Sequence, residues 1–438
     1  MKRILIITYY FPPAGGGGVQ RVTKFIKYLP RYEWEPIVAT TTPDAYIECD
    51  VCLKNDIPDT VIVEKVRSLL TKKQTSKIKN QYNTEFPWEN NKKKTILSNI
   101  ISFFRNLFLI PDSQILWVLP LAFKLKKIIV KHQPDIIFAT APPYSVLIAG
   151  YIAKILSGLP LIIDYRDPWT QFFSTFRKYE SDFRKEIELY MEKRILNKAD
   201  KIILTSKSLL AAFKNELSKK NYNKCRIVYN GYDEDDFKNV RPHTFNKFTI
   251  VYTGKVTPNE YSAELFIKSF GLLMQNRPDL KNKIEVIFVG SFRDEKAIHT
   301  MDQFKINNNI KLLGYKNHRF TVSYQLGADA LLLLLQPGYT DSFVIFGKLF
   351  EYIRTGKPIL SLLPSGCEMT EILNKIDGSI IDSTYNTINI SKKIESIYSL
   401  GRQKKYVRPQ KEIFSRENQT KKMAGYLDSF LQEGTYYI

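Results

Sequence analysis

Ile4-Leu5-Ile6-Ile7-Thr8-Tyr9-Tyr10-Phe11-Pro12-Pro13-Ala14-Gly15-Gly16-Gly17-Gly18-Val19-Gln20-Arg21 decides the fold. Ile4–Tyr9 reads as a buried strand, and Val19–Leu29 reads as a helix. Four glycines stand between them. Such a loop lets backbone N–H groups approach an anion, and the helix N-terminus behind it adds partial positive charge. In an open α/β sheet ligands bind at this carboxyl end of the strands. Gly16 and Gly17 are therefore candidate donor-binding positions, against the plainer reading of a flexible turn. The loop is not a dinucleotide fingerprint. Counted from Gly15 the last glycine position is Gln20, and counted from Gly16 it is Arg21. The second strand, Pro36–Thr41, ends without an acidic residue. No G-K-[ST] is present, so a P-loop is excluded.

Outward from this stretch, short apolar runs alternate with helical patterns, as in βαβ units with parallel sheets. Expected strands are Asp135–Ala139, Pro160–Asp164 and Lys201–Thr205, with a helix through about Ser157 and a charged helix over Ser181–Asn197. After Asn230-Gly231-Tyr232-Asp233 the chain turns polar through about Lys247, which places a domain boundary there. A second series follows. Strands are expected at Thr249–Tyr252, Ile284–Val289, Ile310–Leu313, Ala330–Leu335 and Ile359–Leu363, and helices at Ala263–Gln275 and Phe346–Thr355. An amphipathic helix is expected over Ser415–Leu431. The 438 residues suit two such domains. The predicted division is residues 1–237 with a returning helix from 412–438, and residues 238–411.

The formal charge is +21. Nucleic acid, an anionic substrate and an anionic membrane surface all fit that sign. The basic residues are spread along the chain and no nucleic-acid motif occurs, which argues against nucleic acid. Cys49 and Cys52 form a lone C-x-x-C without a second pair or a nearby histidine, too few ligands for zinc. With Cys225 and Cys367 they read as unpaired thiols. The four histidines lack metal spacing. The N-terminus opens directly on a strand, so no secretion is expected, and no apolar run is long enough for a spanning helix. Residues 71–94 are polar. Residues 95–110 are rich in Ile, Leu and Phe behind Lys92-Lys93-Lys94, which suits an interfacial helix as well as one packed on the first domain.

Four clusters can carry chemistry. Beside the glycine loop stands Asp164-Tyr165-Arg166-Asp167-Pro168-Trp169, again at a strand end. There Arg166 could meet a phosphate, and Asp167 could accept a hydroxyl proton or hold a sugar. An ion-paired capping turn is the alternative. Tyr252-Thr253-Gly254-Lys255 ends the first strand of the second domain, where Lys255 could stabilise the charge growing on a departing diphosphate. In Asp341-Ser342-Phe343-Val344-Ile345-Phe346-Gly347-Lys348-Leu349-Phe350-Glu351-Tyr352, amides near Phe346, Gly347 and Lys348 could hold that diphosphate. Glu351, one turn further on, could accept both hydroxyls of a ribose. Asp233-Glu234-Asp235-Asp236 contains a D-x-D but falls in the linker and reads as a solvated turn.

Together these segments resemble glycosyltransferase family 4, in a bacterial surface-polysaccharide branch. The matching pieces are Tyr9-Tyr10-Phe11-Pro12-Pro13 with its glycines, Ile162–Trp169, Val228–Asp233, and Gly347–Ile353 with Gly356-Lys357-Pro358. The resemblance implies a GT-B fold of two Rossmann-like domains facing across a cleft. It implies a nucleotide-diphosphate sugar donor on the second domain and an acceptor on the first; the basic charge and residues 95–110 favour a lipid-linked glycan as that acceptor. Transfer would retain anomeric configuration, without a metal or other cofactor (EC 2.4). The expected location is cytoplasmic, at the inner face of the cell membrane. Glu351 matches the second Glu of the family's E-x7-E motif, while Phe343 replaces the first. Lys255 stands for the usual Arg, and Glu260 for the Lys five residues later. The family's catalytic-site His has no match, and Arg166-Asp167 occupy that strand end. Two rival readings remain: a sugar-nucleotide epimerase of the same architecture, and a non-catalytic sugar-nucleotide-binding subunit.

Overall fold

The first strand is short and apolar on both faces, and it takes the centre of a parallel sheet, where such strands belong. In the computed structural model it is β1 (Lys2–Ile7), with Ile4 to Ile7 fully buried. The structure describes residues 1–15, 17–46, 51–69, 109–170, 182–213, 217–258, 261–336, 345–401 and 409–434. Gly16, the 71–94 stretch, residues 95–108, Glu260, Asp341–Val344 and Cys49 lie outside the described residues.

Two compact units emerge, Met1–Tyr229 with Gln419–Ile438, and Asn230–Asn418. In the first, β1 is followed by β2 (Trp34–Thr41), β3 (Ile62–Val66), β4 (Ile136–Ala141), β5 (Leu161–Tyr165), β6 (Lys201–Leu204) and β7 (Cys225–Ile227). They form one parallel sheet in the order β3-β2-β1-β4-β5-β6-β7. Ile4 of β1 lies between Pro36 of β2 and Ile136 of β4. The helices of this unit are α1 (Gly17–Tyr28), α2 (Ile115–His132), α3 (Ser145–Ser157), α4 (Asp182–Lys198), α5 (Lys207–Phe213) and α6 (Lys219–Asn223).

The second unit repeats the plan. Its strands are β8 (Phe248–Thr253), β9 (Ile284–Val289), β10 (Ile310–Leu312), β11 (Ala330–Leu334), β12 (Ile359–Leu362) and β13 (Ser379–Asp382). They pair in parallel in the order β10-β9-β8-β11-β12-β13. Its helices are α7 (Tyr261–Asn276), α8 (Glu295–Gln303), α9 (His318–Gly327), α10 (Gly347–Thr355), α11 (Glu368–Leu373) and α12 (Thr387–Ser399). The chain closes with α13 (Arg416–Gly434), which packs on the first unit. Met423, Ala424 and Leu427 join Ile4, Ile26 and Trp34 in its core. Asp428 accepts a hydrogen bond from the Trp34 indole at 3.0 Å and pairs with Lys2.

Most elements expected from sequence are present with ends shifted by one to three residues. The sequence reading leaves β3, β7, β13, α2, α5, α6, α8, α9, α11 and α12 unassigned. α2 contains Pro120, which interrupts a clean helical period. β13 is four residues long, too short to announce itself. The solvated turn expected at Asp233–Asp236 is corrected by the structure. Asp233 is buried, and its side chain caps a 3-10 turn at the Asp235 amide. Glu234 is held by the guanidinium of Arg354 at 2.8 Å. Among the described residues no helix is long and apolar enough to cross a membrane.

One buried ion pair ties the first unit together. Arg21 of α1 donates to Asp164 at the end of β5, with Nη2 to Oδ1 at 2.8 Å. Both side chains are buried. Thr140 of β4 gives Asp164 a further bond at 2.7 Å, and Arg21 also donates to the carbonyls of Val228 and Tyr229 just beyond β7. Replacing Arg21 by Leu leaves a buried, unpaired carboxylate. It should lower the unfolding free energy by about 3–5 kcal/mol. The double variant with Asp164→Leu should recover part of that loss, as thermal and denaturant unfolding will show.

Candidate functional site

Chemistry-bearing side chains gather at the carboxyl ends of both sheets. In the first unit, Asp164 is fully engaged by Arg21 and Thr140, as above. Arg166 follows it. Its Nε donates to the Ala141 carbonyl at 3.0 Å, and its two terminal nitrogens donate to the carbonyls of Gly18 and Pro142. The guanidinium thus staples the glycine loop to the end of β4. Burial lowers its pKa, opposed by the charges of Asp164 and Asp167. The sequence reading offered Arg166 as a phosphate ligand, yet all three of its nitrogens are bonded to backbone.

Asp167 is different. Burial raises its carboxyl above the ordinary carboxylate value. Arg166 pulls it back down, and Asp164 adds to the upward push. It is half-buried, with no hydrogen-bond partner among the described residues. A carboxylate in that state can accept a proton from a ligand hydroxyl. Gly17 opens α1 beside this strand end.

The loop after Asp167 is held by α4, whose inward face is charged. Arg184, Glu188 and Glu192 recur every fourth residue and are buried. Glu188 accepts from the Trp169 indole at 2.6 Å and from Arg184 at 2.7 Å. Glu192 accepts from the Tyr165 and Thr170 hydroxyls. Trp169 stacks on Tyr144 with centroids 5.1 Å apart. Sequence reasoning saw a charged helix here and could not tell that its charges point inward. The spacing of Arg184, Glu188 and Glu192 was the available signal.

In the second unit, three strands end in glycine, at Gly254, Gly290 and Gly314. Gly254 has φ 132 and Gly290 has φ 141. A Cβ on Gly290 would stand 1.9 Å from the Gly254 carbonyl oxygen, so no side chain fits there. A Cβ on Gly254 would stand 2.7 Å from the Lys348 ammonium. Lys348 thus stands at this strand end, 4.0 Å from the centroid of the Tyr252 ring and 5.3 Å from that of Phe346. Lys255 is exposed, with no partner for its ammonium among the described residues. Its carbonyl accepts from the Tyr252 hydroxyl at 3.2 Å.

α10 starts at Gly347, and no side-chain hydrogen bond from its N-cap residue Phe346 closes that end. Among the described residues nothing lies within 4 Å of where a Gly347 Cβ would be. The first amides of a helix have no intrahelical partners, and the helix dipole makes this end attractive to an anion.

Glu351 lies one turn on. Gln325 of α9 donates to its Oε2 at 2.8 Å, and His318 Nε2 meets its Oε1 at 3.1 Å. The same Gln325 amide donates to Thr253 Oγ1 at 3.3 Å, while its own Oε1 is buried without a hydrogen-bond partner among the described residues. Thr253 in turn holds the Tyr352 hydroxyl at 2.9 Å through its amide. Burial pushes the Glu351 pKa up. The charge and hydrogen bond of His318, the Gln325 amide and Arg416 outweigh that push and hold it below the ordinary value. The carboxylate is therefore ionised and fixed in place, an arrangement suited to accepting hydrogen bonds from a pair of vicinal hydroxyls. The structure brings Gly254, Lys348 and Glu351 to one end of this sheet. Sequence reasoning missed His318 and Gln325, which belong to a helix it did not assign.

Residues 85–236 match the family model described as Glycosyltransferase Family 4, and residues 233–414 match that of Glycosyl transferases group 1. No curated protein compared with the chain matches it. Among solved structures, a glycosyltransferase from Rickettsia africae is similar over 98% of both chains, at 14% identity and TM-score 0.57. Sucrose-phosphate synthase from Thermosynechococcus elongatus is similar over 100% of this chain and 98% of its own, at 12% identity and TM-score 0.58. UDP-GlcNAc 2-epimerase from Methanocaldococcus jannaschii is similar over 98% of this chain and 100% of its own, at 12% identity and TM-score 0.54. At such identities the likeness speaks for the fold alone.

A depressed carboxylate pKa keeps its charge until the pH falls through the folded-state value. His318→Ala leaves burial as the larger influence and moves that titration upward. Ligand affinity that depends on the Glu351 carboxylate should then be lost at a higher pH on acidification than in the unaltered chain. Ligand binding measured across pH checks this; an unshifted profile would refute the role given to His318.

Proposed function

As the chain belongs to glycosyltransferase family 4 and has the GT-B fold, we propose that this glycosyltransferase moves a sugar from a nucleotide-diphosphate donor to a lipid-linked glycan, with retention of anomeric configuration, in surface-polysaccharide synthesis. The observation that carries the donor reading is the grouping in the second unit. Glu351, fixed by Gln325 and His318, stands one turn into a helix whose first turn carries Lys348 beside Gly254. Glu351 holds the ribose hydroxyls, and Gln325 keeps its carboxylate in place. The α10 amides of Gly347 and Lys348 receive the diphosphate.

As the bond from the anomeric carbon to the diphosphate breaks, negative charge grows on the departing oxygen. The Lys348 and Lys255 ammonium groups stabilise it, and no metal ion takes part. On the first unit, Asp167 orients the acceptor hydroxyl and accepts its proton. Arg166 positions the glycine loop through its carbonyl bonds. The net charge of +21 favours an acceptor that carries phosphate on an anionic lipid surface.

Incubation with labelled nucleotide sugars and a lipid-linked acceptor tests the reading. Sugar transfer supports it. An epimerised donor, or binding without turnover, would overturn it. Glu351→Ala removes charge-assisted hydrogen bonds worth about 1.5–3 kcal/mol, so donor affinity should fall about ten- to a hundredfold by titration calorimetry. Unchanged donor affinity would count against the assignment of the ribose site.

A further inference from the structure

The outward face of α2 exposes residues that a water-facing helix seldom shows together. Phe123 is 89% exposed, Val130 61% and Leu119 51%. The opposite face, with Trp117, Leu121, Leu125 and Ile128, is buried, so the helix is already docked by its other side. Steps of three or four residues keep one side of a helix in register. Leu119, Phe123, Lys126 and Val130 follow such steps, and Lys127 lies between Phe123 and Val130 on the same side.

Charge distinguishes this stripe from scattered surface apolar residues, which are ordinary. α2 contains no Asp or Glu. Lys131 pairs with Glu64 of β3. Lys124, Lys126 and Lys127 are exposed and have no partner among the described residues. Apolar groups interleaved with unopposed ammonium groups complement a surface that is anionic above and oily below. α3, which packs against α2, ends with Ile155 and Leu156 also exposed.

The start of α2 is tied to the strand-end site. Asp112, two residues before the helix's N-cap residue Gln114, accepts from the Ser145 amide at 3.1 Å. Arg184, the partner of Glu188, donates to the Pro111 carbonyl at 2.7 Å. Whatever seats this face is thus held in fixed relation to the loop that carries Arg166 and Asp167.

We propose that the exposed stripe of α2 seats the first unit on an anionic lipid bilayer. Leu119, Phe123 and Val130 enter the boundary between headgroups and acyl chains, and Lys124, Lys126 and Lys127 lie at the level of the lipid phosphates. The inference rests on the proposed function only in linking that bilayer to a lipid-linked acceptor.

Cosedimentation of the full chain with vesicles of phosphatidylcholine, with and without phosphatidylglycerol, tests it without any sugar transfer. The unaltered chain should sediment with the phosphatidylglycerol vesicles and be released by salt. Lys124→Glu, Lys126→Glu and Lys127→Glu combined should weaken binding on the order of a hundredfold or more, and Phe123→Ser about tenfold. Both variants should keep the unaltered chain's affinity for nucleotide sugar. If the charge reversals unfold the chain, a Lys→Gln set gives the same reading. Variants that bind vesicles as well as the unaltered chain would overturn the proposal. So would binding indifferent to phosphatidylglycerol, or no binding together with a dimer that Phe123→Ser dissociates. Vesicle binding without sugar transfer would count against the proposed function and leave this inference standing.

Discussion

The buried amide of Gln325 holds two parts of the second unit in register. Its nitrogen reaches the Thr253 hydroxyl at the end of β8 and the Glu351 carboxylate on α10. An ionised carboxylate is costly to bury unless donors face it, and His318 supplies the second one. Because Thr253 also grips the Tyr352 hydroxyl, the strand end is tied to two adjacent residues of the helix. The position of Lys348 over the Tyr252 ring follows from that register, since Tyr252 and Thr253 are neighbours and Lys348 is one turn ahead of Tyr352.

The first unit meets the same problem with a different pair. Asp164 is fully buried, and Arg21 with Thr140 answers its charge. That leaves Arg166 to bond carbonyls of the glycine loop and of the end of β4, and leaves Asp167 without a hydrogen bond among the described residues. A carboxylate raised by burial beside a fixed guanidinium is a group prepared to accept a proton rather than one spent on structure. Beneath it, the inward charges of α4 are each matched by an indole, a hydroxyl or a guanidinium. That polar network, in place of an apolar helix face, fixes the loop more specifically than packing alone would.

The strand-end glycines bear on the same question. Gly290 approaches the Gly254 carbonyl so closely that a methyl group is excluded, and both backbones take positive φ. This carboxyl end of the sheet is therefore lined by closely packed backbone, with the Gly254 and Gly290 amides bonded to the carbonyls of Val289 and Gly314.

Sequence by itself determined the alternation of strands and helices, the parallel sheets and the strand-end positions of Gly254, Arg166 and Asp167, because apolar run length and glycine placement are local properties. It also marked Glu351 and Lys348 through the pattern opening α10. Only the tertiary structure decided which charges are spent and which are available. Arg21 finds Asp164 across 143 residues, Glu351 meets His318 across 33, and α4 turns Glu188 and Glu192 inward. The lysine- and phenylalanine-bearing stripe of α2 likewise emerged once the buried side of that helix was known. Hydrogen-bond partners and burial depend on contacts far apart in the chain, and no local period encodes them.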